Sequence, residues 1–184
     1  MGFHTYPMER ADQLEAVSRY RYCSREELVA MLDPDPVAVV ADLGSGTGFY
    51  TDDVAPFFER VYAVDVQAAM HDKYREKGLP DNVETVTAGA DDLPFADGHL
   101  DRAFSTMTYH EYATPASLAE VRRTLRDGGL LVTVDWTAEG AGEDGPPTDQ
   151  RYDLRAAIAH HREAGFEVVD AEARPETFAL IARA

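Results

Sequence analysis

The stretch Val37-Ala38-Val39-Val40-Ala41-Asp42-Leu43-Gly44-Ser45-Gly46-Thr47-Gly48-Phe49-Tyr50 decides the fold. An apolar run of the length of a buried parallel strand ends in a carboxylate. Its β-branched valines suit a pleated strand better than a helix. Three glycines then alternate with hydroxyl residues, so the backbone can turn sharply and approach a ligand with no Cβ in the way. The apolar spacing that follows, Phe49, Val54, Phe57 and Phe58, predicts a helix. Its free N–H groups face whatever lies over the glycines. Strand, glycine turn and helix together describe a cradle for a nucleotide-type cofactor.

The rest of the chain repeats this alternation. Val61 to Asp65 is a second apolar strand ending in a carboxylate, 17 residues beyond Gly48. An acid there is placed to accept two ribose hydroxyls. A helix over Gln67–Lys77 stops at Gly78. Strands are predicted over 83–87, 100–107 and 130–136. A helix over Ala116–Arg126 is capped by Thr114 with Pro115 at its first position. Residues 137–148 form a Gly-, Pro- and acid-rich loop, and a helix over Tyr152–Ala164 precedes two strands, 166–171 and 177–183, in an antiparallel hairpin. Ahead of the first strand, Leu14, Val17 and Tyr20 predict a helix over 10–22. Ser24 and Glu27 mark a capping box for another over 25–32. We expect an open, mostly parallel α/β sheet of seven strands, with helices on both faces and ligands at the strands' carboxyl ends. Residues 1–36 are read as an N-terminal helical cap segment and 37–184 as the cofactor-binding domain, together one compact unit. The N-terminal helices admit two readings: a lid presenting His4, Tyr6, Arg10, Arg19, Tyr20 and Tyr22, or surface helices whose tyrosines pack on the sheet.

Composition narrows the function. The formal net charge is -17, from 34 acidic and 17 basic residues, and Lys73 and Lys77 are the only lysines. Such a surface suits a salt-rich cytoplasm, where salt screens the self-repulsion, though an ordinary acidic protein fits too. It disfavours nucleic acid, which requires a basic patch. Cys23 is alone, so neither an internal disulfide nor a cysteine-rich metal site is expected. With no long apolar run and no apolar leader core, we expect no membrane span and a cytoplasmic location.

The glycine spacing discriminates among cofactors. Gly44-Ser45-Gly46-Thr47-Gly48 is not G-x-G-x-x-G, because Phe49 stands where a dinucleotide binder has its third glycine, and no Gly-Lys-Ser/Thr makes a P-loop. Asp42 would repel a pyrophosphate but welcome an ammonium group. A nucleoside bearing an ammonium and a carboxylate fits, and S-adenosyl-L-methionine has all three. The motifs Asp42-x-Gly44-x-Gly46-x-Gly48, Asp65, Leu93-Pro94-Phe95 before Leu100-Asp101, and Asp127-Gly128-Gly129 carry a resemblance. The chain resembles the class I S-adenosylmethionine-dependent methyltransferases, most of all the small-molecule, ubiquinone/menaquinone-biosynthesis type, over roughly residues 37–184. The resemblance implies a Rossmann-like fold and a set of roles. Asp42 and Gly44 would hold the methionine amino group, and Ser45, Gly46 and Gly48 would face the methionine and ribose. Asp65 would accept the ribose hydroxyls, and Val66 would flank the adenine. The peptide N–H at Ala90 or Asp91 would meet an adenine nitrogen, and the carbonyl near Thr106 the ammonium group. Family members often carry Gly-Asp-Ala where Ala88-Gly89-Ala90 stands, so Asp91 is the candidate to bind the adenine amino group from a neighbouring turn.

Methyl transfer needs a nucleophile held in line with the methyl carbon and water kept out. A base is needed where that nucleophile carries a proton. Tyr109, His110 and Glu111, after the fourth strand, are the candidates, His110 as base and Glu111 as its orienter; the alternative is a His110 that only hydrogen-bonds backbone. Tyr20, Tyr22 and Trp136 are read as acceptor-pocket residues. His71, His99, His160 and His161 are expected on solvated surfaces. The expected partner is a small-molecule acceptor on a monomer or homodimer, with S-adenosyl-L-homocysteine as the other product. A non-catalytic S-adenosylmethionine binder, acting as regulator or partner subunit, is the competing reading. A nicotinamide-dependent oxidoreductase is a more distant one.

Overall fold

The computed structural model describes residues 6–184; His4, one of the lid residues named above, lies outside the described residues. Seven strands form one sheet: β1 (Val39–Leu43), β2 (Arg60–Asp65), β3 (Val83–Thr87), β4 (Leu100–Thr106), β5 (Leu125–Trp136), β6 (Glu167–Ala173) and β7 (Thr177–Arg183). Their order is β3-β2-β1-β4-β5-β7-β6. The first five pair in parallel, and β7 is antiparallel to both β5 and β6. Alternate side chains of the central strands serve two cores. Val40, Val61, Phe104 and Val132 pack with α1 (Arg25–Met31), α2 (Phe49–Val54) and α3 (Ala68–Lys77). Ala41, Val64, Leu131 and Phe178 pack with α4 (Tyr109–Tyr112), α5 (Pro115–Thr124) and α6 (Leu154–Glu163) on the other face. This is the Rossmann-like arrangement that the motifs implied. Strand order reverses between β1 and β4, and the crevice above that switch point is where such sheets bind ligands.

Several boundaries depart from the sequence reading. Residues Met8–Glu15 and Val17–Arg21 form two 3-10 helices instead of one amphipathic α-helix. Val17, taken as part of an apolar stripe, is 75% exposed. These turns run as a strap across the carboxyl edge of the sheet, and Leu14, not Val17, reaches inward. Ser24 caps α1, accepting the Glu27 N–H at 3.2 Å. The box is only half made, because the Glu27 carboxylate turns away to Arg174 at 2.5 Å. Helix α5 stops at Thr124, and β5 begins at once; its register against β4 shifts between Leu100 and Arg102, which absorbs Asp127-Gly128-Gly129. The loop after β4 contains the short helix α4. His71 and His161, expected at the surface, are fully buried. His71 Nδ1 lies 3.0 Å from Thr87 Oγ1, and His161 Nδ1 lies 2.8 Å from the Ala157 carbonyl. Both sit on helical faces turned to the sheet; Thr133 Oγ1 lies 3.3 Å from His161 Nε2, so both nitrogens of that ring are met, whereas His71 Nε2 is left without a partner. No helix of the described residues is long and apolar enough to cross a membrane.

Gly48 shows how tightly the first turn is packed. Its φ is +83°, and a Cβ there would lie 2.2 Å from the Tyr74 ring. Tyr74 is fully buried and donates its hydroxyl to Asp52 at 2.6 Å, fixing α3 against α2. Replacing Gly48 by alanine adds a left-handed backbone penalty to a ring clash that rigid packing cannot relieve. We expect Gly48→Ala to lower stability by about 2 kcal/mol or more. Urea denaturation checks this, and an unchanged midpoint would remove Tyr74 packing as the reason for the glycine.

Candidate functional site

A cavity of about 760 Å3 opens above the carboxyl ends of the parallel strands, within the range of small-molecule sites. Its floor is the glycine turn. The Gly44 and Ser45 N–H groups donate to the Val64 carbonyl at 2.8 and 2.9 Å, and the Gly46 N–H donates to Asp65 Oδ2 at 2.9 Å. The other oxygen of Asp65 accepts the Gln67 N–H at 2.8 Å. Each carboxylate oxygen keeps a free lone-pair direction. Gly44 rests against Thr108, whose hydroxyl donates to the Thr106 carbonyl at 3.2 Å. Above the turn, Leu14 of the strap closes to 3.0 Å from where a Gly46 Cβ would stand, and Thr47 donates to Glu15 at 2.5 Å.

Asp42 is the least comfortable group here. It is 1% exposed, and one oxygen accepts the Thr51 hydroxyl at 2.6 Å. Its Oδ1 is buried with no partner. Burial pushes its pKa up to about 7, opposed by the Thr51 bond and reinforced by the charge of Asp65. A buried acceptor left open in this way costs free energy until something donates to it.

The opposite wall comes from β4 and β5. Met107 takes a left-handed φ of +61°, unusual for a residue with a side chain, and its N–H bonds the Val134 carbonyl at 2.7 Å. The chain thereby breaks from the strand and sets α4 at the cavity mouth. Asp135, fully buried on β5, accepts the His110 backbone N–H at 2.7 Å and lies 3.0 and 3.1 Å from its Nδ1. The carboxylate fixes the ring and makes Nδ1 the protonated nitrogen, so Nε2 is left as the acceptor. Burial works against a charged ring, but the charge and hydrogen bond of Asp135, with Glu111 adding, raise the His110 pKa above its ordinary value. Glu111 Oε1 lies 4.0 Å from Nε2. Burial raises the Glu111 pKa to about 7, against the pull of His110.

The 137–148 loop covers the cavity and is held by two buried charges. Glu176 accepts the N–H groups of Ala141, Gly142 and Glu143 at 2.8, 3.1 and 3.3 Å. Arg151 is buried beneath the loop and donates to the carbonyls of Pro146 and Asp144 at 2.8 and 2.5 Å. Trp136 ends β5 with Arg151 over its ring at 5.5 Å and Tyr22 edge-on at 4.6 Å. The strap meets this loop through the pairs Arg21–Glu143 and Tyr22–Asp144.

Most of the residues singled out from sequence converge here. Asp42, Gly44, Ser45, Gly46, Asp65 and Val66 line the cavity, as do Ala90, Thr106, His110, Glu111, Tyr22 and Trp136. Four do not. Tyr109 is fully buried on the far side of α4, its ring stacked on His161 at 5.4 Å and its hydroxyl 3.0 Å from His160 Nδ1. It cannot reach a substrate. Tyr20 packs on Phe49 and donates to Asp53 at 2.7 Å. Gly48 faces Tyr74, and the Asp91 side chain is exposed outside the cavity. Asp135 was missed. Its signal was present, since it is a third carboxylate near the end of an apolar strand, after Asp42 and Asp65.

The family described as "Methyltransferase domain" matches residues 41–133. Over 89 residues the chain is 36% identical to the biotin biosynthesis bifunctional protein BioHC of Cellvibrio japonicus, covering 48% of this chain and 18% of that protein. It is 30% identical to the ubiquinone/menaquinone biosynthesis C-methyltransferase UbiE of Shewanella pealeana, over 55% of this chain and 44% of that one. The chain thus spans less than half the length of these relatives. The crystal structure of a SAM-dependent methyltransferase from Aquifex aeolicus superposes with a TM-score of 0.88 at 25% identity, covering 97% of this chain and 99% of that chain.

The grip of Asp135 on His110 has a direct readout. An opposite charge beside a titrating group moves its pKa by about 1–3 units. In Asp135→Asn the raised His110 pKa should fall by about 1 unit or more. Imidazole resonances followed by NMR across pH check this; an unmoved titration would mean that Asp135 does not set the ring's charge.

Proposed function

The chain belongs to the methyltransferase-domain family, and from that premise we propose that it moves a methyl group from S-adenosyl-L-methionine to a small-molecule acceptor by in-line displacement. The observation that carries this reading is the pair of strand-end carboxylates beside one glycine turn. Asp42 offers a buried, unpartnered oxygen, and Asp65 offers free lone pairs beyond its two backbone contacts. The residues fit the donor. Asp42, with the carbonyl of Thr106, would take its ammonium group, and Asp65 its ribose hydroxyls. Val66 would flank the adenine, with the peptide N–H of Ala90 or Asp91 on a ring nitrogen. When bound, this cofactor supplies a methyl group on a positively charged sulfur.

The rest is the work of the chain's own side chains. Strap and loop exclude water and leave room for a small acceptor rather than a polymer, which favours the small-molecule reading. Met107 turns the chain so that His110 and Glu111 border the cavity. His110 would accept a proton at Nε2 from the acceptor's nucleophilic atom, while Asp135 holds Nδ1 and stabilises the charged ring that results. Glu111 lies near enough to share that charge.

Calorimetry with S-adenosylhomocysteine and a labelled-methyl screen over metabolite extracts test the proposal. We expect micromolar binding, weakened about tenfold or more by Asp65→Ala, and labelled product from at least one fraction. His110→Gln should cut turnover about 10²- to 10⁴-fold and leave S-adenosylhomocysteine affinity unchanged. Because the base must be neutral to accept a proton, kcat/KM should rise as pH climbs through the raised His110 pKa. In Asp135→Asn that acid limb should move to lower pH. Binding without any product would favour a silent binder, and no binding at all would end the reading.

A further inference from the structure

The sequence reading gives Glu111 the task of orienting His110, but Asp135 holds that ring. Glu111 itself stands at the cavity wall with its side chain 22% exposed. Its one charged neighbour within 4.0 Å among the described residues is His110 Nε2. Burial, with the charges of Asp65 and Asp135 adding to it, drives the Glu111 carboxyl toward its neutral form, and only His110 opposes this. Neither Arg10 nor Arg19, the guanidinium groups on the strap side of the cavity, is felt there. Arg151, whose charge reaches His110, is committed to Glu176 and to the carbonyls of Thr137 and Pro146. A largely buried carboxylate without a donor costs free energy until a ligand brings one.

The charges at this wall decide what that ligand is. For His110 to act as a base its ring must be neutral, and Asp135 and Glu111 then lose their positive partner. A hydroxyl acceptor leaves that excess of two acids in place and, on giving up its proton, sets a new oxyanion beside Glu111. An ammonium group replaces the charge that the ring has given up. We infer that the acceptor is an amine: its ammonium form docks on Glu111, gives one proton to His110 Nε2, and attacks the methyl carbon as the neutral amine. The proposal rests on the donor being S-adenosylmethionine.

The step balances. The nitrogen lone pair forms the bond to the methyl carbon, and the pair of the breaking carbon–sulfur bond leaves with sulfur. The methylated nitrogen regains a positive charge opposite Glu111, and His110 passes its proton to solvent. Glu111 thus faces a substrate-borne cation before and after transfer. The body of the amine meets an apolar wall of Tyr22, Trp136, Pro146 and Pro147, with Trp136 packed by the Arg151 guanidinium and by Gly145. The field of a chain with a net charge of -17 also draws cations in and turns acids away.

Trp136 is the only tryptophan, so its fluorescence reports occupancy of this wall. Benzylamine, phenethylamine and cyclohexylmethylamine are titrated against the full chain saturated with S-adenosylhomocysteine, each beside the alcohol of the same carbon skeleton. The buffer is held above the Glu111 pKa of about 7, so that the carboxylate is ionised. At least one amine should bind about 10- to 100-fold more tightly than its alcohol. Glu111→Gln should erase that preference, weakening the amine and leaving the alcohol within about twofold, with S-adenosylhomocysteine affinity unchanged as proof of folding. In the labelled-methyl screen, product should be retained on a cation exchanger at neutral pH. Amines that bind no better than their alcohols, equal losses for both in Glu111→Gln, or label confined to uncharged or anionic products overturns the proposal and leaves methyl transfer standing. Failure of S-adenosylhomocysteine to bind the wild type overturns the donor reading as well, a different result from donor binding without preference for amines.

Discussion

The contact between the Gly46 N–H and the Asp65 carboxylate, 2.9 Å long, is the one on which the site depends. A chain leaving a parallel strand has backbone N–H groups that no neighbouring strand can satisfy. Here the end of β2 satisfies them: the Val64 carbonyl takes those of Gly44 and Ser45, and Asp65 takes that of Gly46. The glycine turn is thus fastened to the adjacent strand and not to its own helix, with its upper surface free for a ligand. The arrangement places Asp65 near Asp42, and the charge of Asp65 adds to the burial that pushes the Asp42 pKa up. The positive charges of the proposed methyl donor would relieve that crowding.

The same device recurs one step along the sheet. Asp135 on β5 accepts the backbone N–H of His110, beyond the end of β4, and fixes its ring. Strand order puts β2, β1, β4 and β5 side by side, so Asp65, Asp42 and Asp135 stand along one edge, with only the end of β4 between the last two. Each carboxylate receives hydrogen-bond donors that hold it in place. The cost is borne in strain and burial: a left-handed Met107, and an Asp42 whose pKa burial pushes up to about 7.

Those parts of the molecule governed by local chemistry were legible in the sequence. Buried parallel strands are near-continuous apolar runs, and β1, β2, β3 and β7 fall within two residues of where those runs put them. The glycine turn and its flanking acids announce themselves by spacing. What sequence could not supply was which way a side chain faces after a short helix. Tyr109 and His110 are neighbours in α4, and a rotation of about 100° per residue sends one to the core and the other to the cavity. The strap misled for a related reason. Its apolar residues have helical spacing, but a 3-10 turn has three residues per turn, which moves Val17 from the buried face to solvent. His71 and His161 were misjudged because histidine in a helix was taken as polar, when partners on the sheet and the helix backbone meet one ring nitrogen of His71 and both of His161.

Composition read 137–148 as a loop, which it is, and the way that loop is held bears on how the cavity is covered. Glycine, proline and acidic residues suggest a segment too polar to fold on itself. Yet this loop encloses a buried Arg151–Glu176 pair 3.6 Å apart, and the pair works on the backbone: the guanidinium takes carbonyls from one limb and the carboxylate takes N–H groups from the other. A buried ion pair is a weak source of net stability unless its remaining polar atoms are satisfied. Here the loop's own peptide groups satisfy them, so the glycines allow the backbone to wrap two charges that apolar residues could not accommodate. The loop is thus built around its own charges, whereas the strap is held from outside, by the Tyr20 hydroxyl on Asp53 and the Tyr50 hydroxyl on the carbonyls of Arg19 and Cys23. Exposed ion pairs of the strap contribute about 1 kcal/mol each at most, and less as salt rises. Both of the chain's lysines are committed to those pairs, so the inward contacts of Leu14, Tyr20 and Tyr50 carry more of the strap's hold as salt rises.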